Sequence, residues 1–147
     1  MPQSNAETAD RLNRRHARMM PVLAVFVLIQ QAVFFTSGNG QRTVDMVRNG
    51  AWIVLVSVIV LMLVTGGSWF RSREVRQLLN DEVTRANRAS ALTFGFALAM
   101  AAGIGLYALE AFAPGSATAR EAVHIIVSFG LIAALLRFGL LERRALG

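Results

Sequence analysis

The sequence predicts an all-α membrane protein, a four transmembrane helix bundle with N and C termini cytoplasmic. Three observations lead there. Of the 147 residues, 54% are hydrophobic and the mean hydropathy is +0.48, more apolar surface than a soluble domain of this size can hide in one core. The apolar residues gather in four stretches, about 19–36, 51–70, 91–112 and 122–141, each close to the roughly 20 residues with which a helix crosses about 30 Å of hydrocarbon. All fifteen basic residues are Arg, and twelve of them lie before residue 19, between 71 and 90, or from 137 onward. That asymmetry puts both termini and the middle loop in the cytoplasm, with 37–50 and 113–121 outside.

A backbone in lipid must satisfy its own hydrogen bonds, and the period-two alternation of a barrel strand is absent, so the spans are helices. The organisation that follows is a cytoplasmic basic tail over 1–18 and a single transmembrane domain over 19–147, with a cytoplasmic helical loop over 71–90. The first span follows Arg11, Arg14, Arg15 and Arg18, but "FFTSGNG" at its end lacks an A-x-A cleavage pattern. It is a retained span rather than a cleaved leader. Gln30 and Gln31 lie about 16 Å into it, where a bare amide is costly. At least one of them faces protein, either as a hydrogen bond between helices or as a contact to a substrate or ion.

In the second span Trp52 and Trp69 are seventeen residues apart, about 25 Å along a helix, so one indole falls at each water boundary. Its β-branched residues run all round, which makes it a lipid-facing member of the bundle. Asn80 and Asp81 cap a helix that runs uninterrupted into the third span. On that helix Asp81 and Arg85 stand four apart with Arg88 one turn later. Asp81, Arg85 and Arg88 are candidates for a handle that a protein partner grips, and the plain alternative is a solvated charged collar.

In the third span Gly95, Ala99 and Gly103 recur at spacing four, with Ala97, Ala101 and Gly105 beside them. Small residues on one face let another backbone come close, which places this helix at the centre of the bundle or at a homo-dimer contact. Gly130 and Ala134 repeat the pattern more weakly on the fourth span. Glu110 closes the third span and His124 opens the fourth, at similar depth, where they could pair or stand solvated at the interface. Arg137 lies four residues inside the end of the fourth span, where it snorkels to the interface or forms a buried pair. Glu7, Arg11, Asn13 and Arg14 are echoed 74 positions later by Asp81, Arg85, Asn87 and Arg88. A duplicated helix hairpin would produce this echo, and so would chance in an Arg-rich chain.

Function classes narrow by what is missing. There is no Cys, which removes disulfides and thiolate chemistry. Two His, one of them His16 in the tail, do not make a metal or haem site, and no phosphate loop or nucleophile elbow is present. No cofactor or metal is expected, and no enzyme. The charge of +6 is divided among membrane-proximal collars, which suits anionic lipid head groups rather than nucleic acid.

Asp81, Glu82, Thr84, Arg85 and Ala89, followed by Phe94 and Phe96, resemble the middle-loop signature of small four-span bacterial membrane proteins of uncharacterised function. In those families an acidic pair followed by a basic residue opens the third helix, and the gene often neighbours a helix-turn-helix regulator. Where many members have that basic residue, this sequence has Val83. The resemblance, over residues 80–96, implies a multi-pass protein of the bacterial inner membrane. The expectation is an interaction or regulatory component that forms a homo-oligomer. The alternative is a small dimeric transporter or channel, with Gln30, Glu110 and His124 lining a polar path.

Overall fold

The computed structural model describes residues 5–36, 42–66 and 82–145. They form four helices: α1 (Asn5–Thr36), α2 (Arg42–Thr65), α3 (Glu82–Phe112) and α4 (Ala119–Ala145). Each contains a stretch long and apolar enough to cross a bilayer, with mean hydropathies of 1.8 to 2.2. Val22, Leu28, Ile53, Phe96 and Ile104 stand exposed along these stretches, as side chains that face acyl chains do. The chain is a multi-pass, all-α membrane protein, as the sequence predicts.

Contacts fix the topology. On α1, Gln31 meets Ser128 of α4 while Ala17 and Met20 meet Gly139, so these helices run antiparallel. On α3, Gly95 faces Gly130 and Asn87 bonds Glu142, which sets α3 antiparallel to α4 as well. One end of the bundle therefore carries the start of α1 and the end of α4. The other, called the far end below, carries the α1–α2 and α3–α4 connections.

The second helix departs from the expected span at both ends. It begins at Arg42 rather than 51 and stops at Thr65 rather than 70. Its extra N-terminal turns carry charge and so look like loop in the sequence, yet Asp45 sits in the first turn, where the helix dipole favours an acid. Asp45 also bonds Arg48 one turn on, at 2.9 Å. At the other end Gly66 adopts φ +84° and donates its N–H to Met62 O at 2.9 Å, the left-handed cap that only glycine enters without strain. Trp69, Asn80 and Asp81 lie outside the described residues, and with them the second tryptophan anchor and the expected cap. The basic tail is helical from Asn5 and continuous with the first span.

The centre of the bundle is α4, not α3. Ten residues of α4 are buried, against Arg88, Ala91 and Gly95 on α3. Val27, Leu63, Ala91 and Leu135 bring one residue of each helix into a common core. The small residues of α3 do pack closely, but against α4 of the same chain. A Cβ placed on Gly95 would lie 2.5 Å from Gly130 O and 2.7 Å from Ala134 Cβ, and one on Gly130 would lie 2.8 Å from Ala99 Cβ. The face expected to receive a second copy is thus filled from within. Gly103 rests against Ile126 on the same seam, and the neighbouring row of Ala97, Ala101 and Gly105 is exposed.

On its other side α4 meets α1 through Gly139. A Cβ there would come 3.1 Å from Met20 Cβ, 3.3 Å from Pro21 Cδ and 3.6 Å from Ala17 O. Pro21 has no N–H to give the carbonyl of Ala17, four residues back in the helix. Gly139 thus packs where α1 has a ring in place of a hydrogen-bond donor. The two hairpins are packed unequally, α4 being central and α2 peripheral with Ile59 and Leu63 its buried side chains.

These distances make a paired prediction. Gly130→Ala forces the α3/α4 seam apart and lowers stability by about 1–3 kcal/mol. Gly105→Ala meets nothing within 4 Å and is neutral or stabilises by up to about 1 kcal/mol. Reversible unfolding in mixed micelles measures both.

Candidate functional site: the far-end helix junction

Three helices converge at the far end around His124, and short-range features set each in place. Thr118 and Glu121 form a capping box at the start of α4. Thr118 N donates to Glu121 Oε2 at 2.7 Å, and Glu121 N donates to Thr118 Oγ1 at 3.3 Å. The preceding connection is tied to α3 by Glu110, whose carboxylate accepts from Gly115 N at 2.7 Å and from Ser116 Oγ at 3.1 Å. Gly115 makes that turn with φ +80°. One turn into α4, His124 then points between α1 and α2.

There the imidazole has two aromatic rings close by, one from each of those helices. Phe34 of α1 stacks on it with centroids 3.9 Å apart and planes 11° from parallel. Trp52 of α2 lies 4.0 Å away at 30°. Aromatic pairs of this kind contribute about 0.5–1.5 kcal/mol beyond the area they bury. His124 is 5% exposed. Arg48, one turn before Trp52, places Cζ 5.8 Å from the Phe34 centroid and keeps its bond to Asp45. Both Arg48 and Arg120 lie within electrostatic reach of the imidazole. One turn deeper, Ser128 Oγ donates to Gln31 Oε1 at 2.8 Å, joining α4 to α1.

The junction holds more buried hydrogen-bonding capacity than it uses. Gln31 Nε2, Arg48 Nε, Asn49 Oδ1, Trp52 Nε1 and His124 Nδ1 are buried without a hydrogen-bond partner among the described residues. In a folded protein such atoms are few and scattered. Here they come from three helices, and Trp52 and His124 are in ring contact, with Arg48 over Phe34 in the same stack.

The residues singled out from the sequence fare differently. His124 is at the heart of the junction. Gln31, rather than Gln30, makes the bond between helices, and Gln30 is half-buried. Glu110 is exposed and occupied with its own loop, so of the two alternatives for Glu110 and His124 the pair does not form among the described residues. Phe34, Asn49 and Trp52 were not legible as site residues, although Gln31/Phe34 and Arg48/Trp52 each stand one helical turn apart. That turn spacing of polar with aromatic residues is the signal that would have found them.

At the opposite end, Asn87 Nδ2 donates to the buried Glu142 Oε1 at 3.0 Å. Arg88 is buried beside Gly66 and within reach of the charges of Glu142 and Arg85. Of the expected handle, then, Arg85 is exposed, Arg88 is turned into the bundle, and Asp81 lies outside the described residues. Arg137 does not pair with a buried acid: its Cζ stands 5.5 Å from the centroid of Phe94 on α3, a cation–π contact at the helix surface. Between α2 and α3 lies a lateral crevice of about 220 Å³ with apolar walls that include Val60, Leu63, Phe96 and Leu131.

The Gln31–Ser128 bond predicts a coupled pair. Ser128→Ala and Gln31→Leu each lower stability by about 0.5–2 kcal/mol. The double variant loses less than the sum, because each single change already breaks the shared bond. Thr118→Ala, at a separate site, costs about 1 kcal/mol and adds to either. A double-mutant cycle by unfolding in micelles reads all three.

Compared with known proteins, the chain matches no family model, and neither a curated protein nor a solved structure is significantly similar to it.

Proposed function

We propose that the chain is an interaction or regulatory component of the bacterial inner membrane, which acts by binding at the far-end junction and passing the change on through α2. The arginine asymmetry supports an orientation with this junction outside and the termini in the cytoplasm. The resemblance of residues 80–96 to small four-span bacterial proteins supports the location.

One observation carries the reading: the polar junction sits between a close-packed body and a loosely held helix. Helices α1, α3 and α4 are locked by backbone approaches at Gly95, Gly130 and Gly139. No glycine of α2 takes part among the described residues. The crevice separates α2 from α3 over the middle of the bundle. Trp52 on His124 clasps α2 at the far end, so a ligand that rearranges this stack repositions α2 relative to the body. Its other end leads into residues 67–81, on the cytoplasmic side. Partner recognition there falls to the exposed Arg85 of the expected handle, with anionic head groups holding the collars. A second copy has the exposed row of Ala97, Ala101 and Gly105 available to it. The transport alternative would need a polar path, and Gln30 and His124 belong to it more readily than Glu110.

The chain has no cysteine, so introduced ones report without background. Ala117→Cys should label from outside and Ala145→Cys from the cytosol in intact cells. Spin labels at Ser57→Cys on α2 and Ala97→Cys on α3, both exposed positions, should show a broad or two-component distance distribution that Trp52→Ala shifts. A single narrow distance that ignores Trp52→Ala would sink the regulatory reading. Saturable solute flux in liposomes, lost in His124→Ala, would replace it with the transport one.

A further inference from the structure

We infer that the far-end junction is a binding site for an oxyanion, the carboxylate of a small acid or the phosphate of a lipid head group. The inference rests on the reading above that this junction binds something, and it goes further by naming the chemistry.

Donors dominate the unmatched groups. Gln31 has already committed its oxygen to Ser128, so what remains is its NH₂. Trp52 Nε1 and Arg48 Nε can only donate. His124 Nδ1 donates in one of its two tautomers. Asn49 presents Oδ1, and a half-turn of its amide presents the NH₂ instead. Buried N–H groups such as those of Gln31, Arg48 and Trp52 are costly in a low-dielectric setting until an acceptor arrives.

The charge has the same sign. Arg48 and Arg120 both bear on His124. The acid near them is Asp45, whose Oδ1 accepts from Arg48 Nη2 at 2.9 Å, while Nε of the same guanidinium is buried without a partner. A guanidinium with a buried N–H still unmet is suited to a second carboxylate or phosphate oxygen. Phe34 and Trp52 put aromatic surface against the imidazole. A cation would meet two arginines, whereas the oxygens of a carboxylate or phosphate can accept from unmatched N–H groups of more than one helix. That also makes the ligand a bridge across the clasp that holds α2.

The test uses the full chain with Trp69→Phe, which leaves Trp52 as the sole indole, in nanodiscs of digalactosyldiacylglycerol, an uncharged lipid without phosphate, at fixed ionic strength in chloride. Indole fluorescence is followed while inorganic phosphate or acetate replaces chloride, and separately in nanodiscs in which phosphatidylglycerol replaces part of the galactolipid. A saturable change with phosphate or acetate identifies a free acid. A change confined to phosphatidylglycerol identifies the head group. Either response should weaken by about tenfold or more in Arg48→Gln, the scale of one lost charge-assisted hydrogen bond. Arg120→Gln, at an exposed position, should weaken it too and serves where Arg48→Gln does not fold. No response to any of the three, or a response equal in both variants, overturns the inference and leaves water as what the groups bind. Movement between the labels on α2 and α3 is read independently. If Trp52→Ala still shifts it while no anion does, the regulatory reading stands and only the ligand class fails.

Discussion

Everything in this bundle leans on how closely α4 can approach its neighbours. Apolar side chains gain nothing from leaving lipid for another helix, because acyl chains are as apolar as leucine. What holds helices together in the bilayer is van der Waals contact and the occasional hydrogen bond. Both improve as backbones come nearer. Gly130 opens one side of α4 to Gly95 and Ala99, and Gly139 opens the other to Ala17, Met20 and Pro21. With these contacts the first, third and fourth helices become one body, and α2 is left to be held by side chains alone.

That division separates two kinds of chemistry along the bundle. The seam of α3 and α4 is close-packed, with methyl groups and carbonyls where an added Cβ would collide. The far-end junction is polar, with a stacked imidazole and hydrogen-bonding groups from three helices. Rigidity suits the first because any added atom collides. The second sits where the least constrained helix touches the rest, so a modest change in local bonding has something to move.

How far the sequence discloses this differs from feature to feature. The four spans are legible because hydropathy over some twenty residues is a strong, additive signal. The bounds of α2 are not, since Arg42 to Arg48 reads as a charged loop and the pairing of Asp45 with Arg48 one turn on is a weak local signal for helix. Spacing shows that Gly95 and Ala99 need a close partner, yet spacing cannot say whether that partner is α4 or another copy. Thr118 and Glu121 spell out a capping box three residues apart, a local rule that needs no tertiary knowledge. His124 is the opposite case, because its stacking partners come from two other helices and no pattern along α4 points to them. Its setting is a consequence of the assembled bundle, as is the choice of Gln31 over Gln30.

The placement of α4 also bears on how the protein is made. In chain order the helix that joins the others follows all of them. While α1, α2 and α3 emerge, Gly95 has no Gly130 to meet and Pro21 no Gly139. The early spans must therefore wait side by side in the bilayer, their small-residue grooves open to lipid or to a chaperone, until translation delivers the segment that closes them. A ribosome stalled before Ala119 would leave three helices without the α4 residues, Leu131, Ala134, Leu135 and Phe138, that complete their common core.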